Sequence, residues 1–336
     1  MRVAIYGAGA MGTVLGAHLA RAELKVDLIS RNKQHISALK KHGAKICGTV
    51  NFTVPVFAYL PEEMTGKYDV IFLMTKQRDN ENTVKFLLNY LADDGVICTT
   101  QNGLPERLIA SICGEERCIG CAVSWGATFI GEGVAKLTSS PDKLTFAIGS
   151  LYKNNPHIYA VQRILERMGK VYLCDNFIGA RWAKLSVNCA FSSLSALSGL
   201  TFGEIAKGKK SKKIAQAILK ESFDIAKASG VKIDKIQGHD IVKLLNYNNP
   251  VKRAISLALI PLTMKKHANL QSGMLFDLLN GKVCDIDFLN GVLINYANEC
   301  GVGAPVNERV VELIHKIERG ELTVSPNNLN LIKIPQ

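Results

Sequence analysis

The sequence predicts an α/β protein: an N-terminal Rossmann-type, doubly wound parallel sheet followed by an all-helical C-terminal domain. Three observations predict it. A short apolar run, Val3-Ala4-Ile5-Tyr6, stops at a glycine-rich loop, Gly7-Ala8-Gly9-Ala10-Met11-Gly12. The first half of the chain alternates strand-length apolar runs with segments of helical period, as a parallel sheet covered by helices requires. From Ile178 onward the dominant period is helical.

Taken in order, Val3 to Tyr6 reads as a strand, Met11 to Arg21 as a helix, Lys25 to Ile29 as a second strand and Gln34 to His42 as a second helix. Asp69 to Met74 is apolar enough for a strand buried on both faces. Glu81 to Leu91 reads as a helix, and Val96 to Thr100 as a strand ending at Gln101-Asn102-Gly103. Short β-rich pieces follow at Cys118–Ser124, Val134–Thr138 and Leu144–Ile148. Helices are expected over 178–198, 203–229, 239–245, 250–258, 285–300 and 305–318. These elements set a nucleotide domain at 1–175, a helical catalytic domain at 176–324 and a loosely attached tail at 325–336, which holds two prolines and three asparagines.

A chain of 336 residues can build two cores, and 47% hydrophobic against 21% charged residues excludes a disordered protein. The glycine loop arrives before a targeting run could form. Nine dispersed cysteines then read as reduced thiols, and a cytoplasmic location is expected. Cys113-x4-Cys118-x2-Cys121 matches part of an iron–sulfur spacing, but Cys118 and Cys121 read as small apolar residues in or near a buried strand, and no metal is expected. The uncharged stretch Leu185–Gly203 carries Asn188 and five serines, so it reads as a buried helical hairpin rather than a membrane span. The formal charge is +12, and its densest run, Lys207 to Lys213, reads as a solvated turn between helices. It has no interleaved aromatics, so no nucleic-acid partner is expected. A basic surface suits an enzyme that attracts anions.

Gly7-x-Gly9-x-x-Gly12 lies between a strand and a helix, the setting in which such a loop holds a dinucleotide. Gly7 permits the tight turn, Gly9 lets the backbone approach a pyrophosphate, and Gly12 lets helix and strand pack closely. Ala8, Ala10 and Met11 complete the loop, and the helix start offers N–H groups to the phosphates. At the end of the second strand an NAD enzyme usually carries an acid for the ribose 2′-hydroxyl. Here Ser30-Arg31-Asn32 stands instead. A hydroxyl and an arginine suit a 2′-phosphate, so NADP(H) is the expected cofactor, with Arg31 as its main contact.

The second informative segment is Arg181 to Ser192. Lys184, Asn188 and Ser192 stand at i, i+4 and i+8 among Leu, Val, Cys, Ala and Phe. Burying a lysine is costly. Either it is a proton donor whose acidity is tuned by partial burial, or its stem covers apolar surface with the charge in water. The pattern alone leaves both readings open.

With these motifs the chain resembles the ketopantoate reductase (2-dehydropantoate 2-reductase) family over nearly its whole length. Gly7–Gly12 resembles that family's opening loop, Phe72-Leu73-Met74-Thr75-Lys76 its strand ending in a cofactor-contacting lysine, and Gln101-Asn102-Gly103 its Gln-Asn-Gly turn. Gly126-Ala127-Thr128 with Gly131-x-Gly133 resembles its second glycine-rich stretch, and Trp182-x-Lys184-x-x-x-Asn188 its catalytic helix. Ser272-Gly273-Met274-Leu275-x-Asp277, Asp285-Ile286-Asp287-x-x-Asn290-Gly291 and Gly301-Val302-x-Ala304-Pro305-x-Asn307 resemble its C-terminal blocks. The resemblance implies NADPH-dependent reduction of ketopantoate to pantoate, on the route to pantothenate and coenzyme A. It implies Lys184 as proton donor, Asn188, Ser192 and Ser272 on the substrate, and Lys76, Asn102, Ala127 and Asp285 on the cofactor. The family commonly has Glu at Asp285, Ser at Gly273, and Asn at Ser192 and Phe202. These differences leave another 2-keto acid open as substrate, and a non-catalytic NADP-binding sensor is a further alternative. By analogy with other helical second domains, a homodimer is a possible assembly.

Overall fold

A computed structural model describes residues 1–236 and 238–335. The chain separates into two units, one of Met1–Gln101 with Pro105–Phe177, the other of Asn102–Leu104 with the chain from Ile178 onward.

The first unit runs β1 (Val3–Tyr6), α1 (Ala10–Arg21), β2 (Val26–Ile29), α2 (Lys33–His42), β3 (Ala44–Gly48), β4 (Phe52–Val54), β5 (Phe57–Tyr59), β6 (Tyr68–Leu73), α3 (Asn80–Leu88), β7 (Leu91–Thr99), α4 (Glu106–Cys113), β8 (Cys118–Val123), β9 (Ala127–Gly131), β10 (Val134–Leu137), β11 (Thr145–Gly149), α5 (Ile158–Leu165) and β12 (Lys170–Leu173). Eight strands form the main sheet in the order β12-β11-β8-β7-β6-β1-β2-β5. It is parallel except where β11 meets β8. Every residue of β1, β2 and β8 is buried, which is why these segments read as unbroken apolar runs. From β1 the chain winds outward through β2 and β5; from β6 it winds the other way through β7 and β8. The reversal between β1 and β6 is the switch point where open α/β sheets bind ligands.

The β-rich pieces beyond residue 118 do not all join this sheet. β9 and β10 form a hairpin that pairs through β10 with β3, giving a separate four-stranded sheet, β4-β3-β10-β9. Helix α1 packs against β1 and β2 and also against β3, β4, β9 and β10. That double covering buries Gly12 through Ala17 without a break, so α1 lacks the polar stripe of a surface helix. Cys118 and Cys121, three apart on β8, face opposite sides: Cys118 joins the core that holds Cys113, and Cys121 the core that holds Phe146. They do not converge on one ion.

The second unit is helical: α6 (Phe177–Val187), a π-helical segment (Asn188–Ser192), α7 (Ser193–Ser198), α8 (Phe202–Lys207), α9 (Lys209–Ala228), α10 (Ile241–Leu245), α11 (Pro250–Thr263), α12 (Gly273–Leu279), α13 (Asn290–Cys300) and α14 (Pro305–Glu318). The helix expected over 178–198 runs to Ser198, and the chain turns at Gly199 before α8 begins at Phe202. The buried serines before that turn satisfy themselves: Ser186, Ser193 and Ser198 each donate to the carbonyl four residues back. The expected helix over 203–229 breaks at Gly208, which places the lysine run in an exposed turn and first helical turn.

The expected loose tail is also corrected. Pro326–Leu331 forms a 3-10 turn whose Leu329, with Ile332, enters the core of this unit. Asn328 Nδ2 donates to the Leu197 and Thr323 carbonyls at 3.0 and 2.8 Å. Among the described residues no helix is long and apolar enough to cross a membrane.

Candidate active site

The glycine loop follows β1 at the switch point. Gly7 has φ +109°, and a Cβ there would lie 2.6 Å from the backbone of Met74 and Thr75. A Cβ on Gly12 would lie 2.4 Å from the Gly7 carbonyl oxygen. Both glycines are thus required by close backbone approach. Gly9 is different: a Cβ there would meet nothing within 4 Å. Gly9 is also the N-cap of α1, so no side chain caps the first N–H groups of the helix, the groups that an anion can take up. The Thr75 hydroxyl beside this loop is buried and has no partner among the described residues. An open cradle and an unpaired buried hydroxyl fit a dinucleotide phosphate.

The polar ends of β6 and β7 are locked together. Gln101 Nε2 donates to the Thr75 carbonyl at 2.8 Å and to Asn80 Oδ1 at 2.7 Å. Asn80 Nδ2 returns a bond to Gln101 Oε1 at 3.0 Å. This explains the Gln-Asn-Gly turn: Gln101 anchors the chain and leaves Asn102 exposed. Arg31 and Lys76 are exposed, and Ala127 opens β9, half-buried. These three share a unit with the glycine loop. Asn102 belongs with the helical unit, as do Lys184, Asn188, Ser192, Ser272 and Asp285.

Between Arg181 and Ser198 only Lys184, Val187, Asn188 and Ser192 are partly exposed. On a regular helix eight residues advance about 800°, leaving i+8 roughly 80° from i. The π-helical turn over Asn188–Ser192 rotates less per residue and draws Ser192 back toward the line of Lys184 and Asn188. Such a turn frees a backbone carbonyl, and Cys189 O is caught twice, by the Ser193 hydroxyl and by Asn290 Nδ2 at 3.1 Å. Asn290 Nδ2 also donates to Asn307 Oδ1 at 2.8 Å. Asn307 Nδ2 donates to Glu221 Oε2 at 2.6 Å. Glu221 accepts the Val306 and Asn307 backbone N–H groups at 2.9 and 3.0 Å as well. Burial pushes the Glu221 carboxyl up, against the pull of these donors.

Ser272 is 3% exposed. Its hydroxyl caps α12, accepting from Met274 N at 3.1 Å, and its own N–H donates to Ser195 Oγ at 3.1 Å. The structure gives this residue a capping role, with the exposed Gly273 beside it. Asp285 is the half-buried N-cap residue of a 3-10 turn, Ile286–Phe288. Phe202 packs against Phe191, ring centroids 5.9 Å apart. Sequence reasoning missed Thr75 and Glu221 as site residues. Asn290 and Asn307 stood there only within motifs; the wide separation of Asn290 from Cys189 hid the bond between them.

The glycine cradle at the switch point of a doubly wound sheet defines the dinucleotide-binding class of fold, and the chain is an oxidoreductase. The chain belongs to the ketopantoate reductase family: residues 3–150 match the family model described as ketopantoate reductase PanE/ApbA, and residues 176–318 match its C-terminal model. The 2-dehydropantoate 2-reductase of Pyrococcus horikoshii is 30% identical over 311 residues, covering 91% of this chain and 94% of its own length. Among solved structures, a PanE/ApbA family ketopantoate reductase from Ralstonia eutropha superposes with a TM-score of 0.80 at 26% identity, over 96% of this chain and 99% of the other. D-mandelate dehydrogenase with NADH and anilino(oxo)acetate gives a TM-score of 0.82 at 21% identity, over 95% of this chain and 99% of the other.

Proposed function

We propose that this chain reduces 2-dehydropantoate to pantoate with NADPH, in pantothenate biosynthesis. The observation that carries the proposal is the line of Lys184, Asn188 and Ser192, half-buried in a helical stretch, Arg181 to Ser198, that is otherwise buried apart from Val187. The chemistry that a bound nicotinamide supplies is hydride delivery to the keto carbon. The keto oxygen then needs a proton, and the Lys184 ammonium donates it while countering the developing negative charge. Asn188 and Ser192 orient the substrate's hydroxyl and carboxylate. Gly7, Ala8, Gly9, Ala10, Met11 and Gly12 hold the pyrophosphate. Ser30 and Arg31 hold the 2′-phosphate, and Lys76, Asn102, Ala127 and Asp285 complete the cofactor's surroundings. Assembly as a homodimer is part of the proposal. Val251, Ile255 and Leu262 form an exposed apolar stripe along α11, the kind of surface that a second copy covers.

Steady-state NADPH consumption with ketopantoate, set beside a panel of 2-keto acids, tests this. Ketopantoate should give the highest kcat/KM. A second reading, another 2-keto acid, is favoured by Gly273, whose side-chain space is open, and by Phe202; a different preferred keto acid in the panel would establish it. Binding of NADPH with no turnover on any keto acid would refute both in favour of a sensor.

A further inference from the structure

We infer that Glu132, at the tip of the β9–β10 hairpin, determines cofactor choice by placing a carboxylate against the end of β2, where it opposes a 2′-phosphate. The inference rests on the proposed dinucleotide site and deepens it.

The hairpin tip is clamped to the glycine loop through His35. The Gly133 N–H donates to His35 Nδ1 at 3.0 Å. With Nδ1 accepting, the ring proton sits on Nε2, which lies 3.0 Å from Thr13 Oγ1. The Thr13 hydroxyl in turn lies 3.4 Å from the Ala8 carbonyl oxygen. His35 is 1% exposed, so this chain of bonds is shielded from water. Gly133 has φ +75°, and a Cβ there would lie 3.2 Å from the Ala38 methyl. Glycine therefore lets the tip sit directly on α2.

Glu132 is held in consequence. Its two carboxylate oxygens lie 3.3 and 3.4 Å from Asn32 Nδ2. One of them is 3.6 Å from His35 Nδ1. Asn32 is itself fixed, because its Oδ1 caps α2 by accepting the His35 N–H at 3.1 Å. Asn32 follows Ser30 and Arg31 directly, and the Ser30 hydroxyl accepts the Asn32 N–H at 3.2 Å. The end of β2 is where dinucleotide folds hold the adenosine ribose.

NAD enzymes place a carboxylate there to accept the 2′-hydroxyl. In this chain β2 brings Ser30 and Arg31, and the carboxylate comes instead from a hairpin about 100 residues away in sequence. A 2′-phosphate carries roughly two negative charges. Arg31 attracts it and Glu132 repels it, while a 2′-hydroxyl meets no such repulsion. The site is balanced between two cofactors, and NADH remains competent. Glu132 is exposed, so water and salt screen the repulsion. Its removal is worth about fivefold to tenfold in NADPH affinity, not several orders of magnitude.

The test is equilibrium titration of the purified protein with NADPH and with NADH, followed by nicotinamide fluorescence without any keto acid. Wild type, Glu132→Gln and Glu132→Ala are compared. Both variants should bind NADPH about fivefold to tenfold more tightly, with NADH unchanged or weaker, and added salt should shrink the difference. An unchanged NADPH-to-NADH affinity ratio in both variants overturns the role of Glu132. Absence of binding of either cofactor by all three proteins overturns the dinucleotide site itself and this assignment with it.

Discussion

Replacing Asn290 with alanine removes the brace behind the π turn. Asn290 is fully buried, and its amide donates to Cys189 O and to Asn307 Oδ1. Each lost hydrogen bond is worth about 0.5–1.5 kcal/mol, and an acceptor left unpaired in the interior costs about 1–3 kcal/mol. Cys189 O keeps the Ser193 hydroxyl, so the orphaned acceptor is Asn307 Oδ1. The Asn290 Oδ1 has no partner among the described residues, and deleting it offsets part of the loss. The net is about 2–3 kcal/mol of stability. For a unit of this size that is about 5–10 °C in melting midpoint by calorimetry. Lys184 precedes the π turn, whereas Asn188 and Ser192 bound it. The KM for the keto acid should therefore rise more than kcat falls. Asn290→Asp should be worse, since a carboxylate donates to neither acceptor. A variant that melts with wild type and keeps its KM would refute the reasoning.

The remaining predictions concern the cofactor loop, pH and assembly. Gly9→Ala should melt close to wild type, because the added Cβ meets nothing within 4 Å. It should weaken NADPH binding by about 100-fold or more in a fluorescence titration, since a methyl group stands where a phosphate must approach. Burial holds the His35 ring below the ordinary histidine value of 6.5, so the fold favours the neutral ring. The stability it contributes is present above pH 6.5 and is lost as pH falls through the depressed folded value. His35→Gln should flatten that acid limb in melting curves recorded across pH. Ile255→Glu puts a charge on the exposed stripe of α11 and should shift elution in size-exclusion chromatography from dimer to monomer, with NADPH affinity unchanged.

The sheet was legible in the sequence wherever a strand is buried on both faces. β1, β2, β6 and β8 announce themselves by apolar runs. The four-stranded sheet was not, because β3, β4 and β9 are partly exposed and lack the unbroken burial of β1 and β2. Their pairing joins residues near 45 to residues near 135, a separation that no local pattern carries. The glycine loop was readable because it stands between a strand and a helix; the close approach of Gly12 to the Gly7 carbonyl lies inside that unit, whereas the Met74–Thr75 backbone that presses on Gly7 comes from the end of β6. The lysine, asparagine and serine line was readable as a period, but the π turn that aligns it was not. That turn depends on Asn290, one hundred and one positions from the carbonyl it holds. Glu132 escaped notice for the same reason: only the folded hairpin brings it to Asn32. Ser272 was read by its place in a motif, yet its hydroxyl serves a helix start.

The central claim is that Lys184 protonates the oxygen of a 2-keto acid while NADPH is oxidised. The most direct test is the steady-state rate of NADPH absorbance loss with ketopantoate for wild type and Lys184→Ala, with NADPH affinity measured in parallel. The account predicts turnover by wild type and a kcat lower by about 100-fold or more in the variant, with NADPH still bound. A Lys184→Ala protein that reduces ketopantoate at the wild-type rate would contradict it.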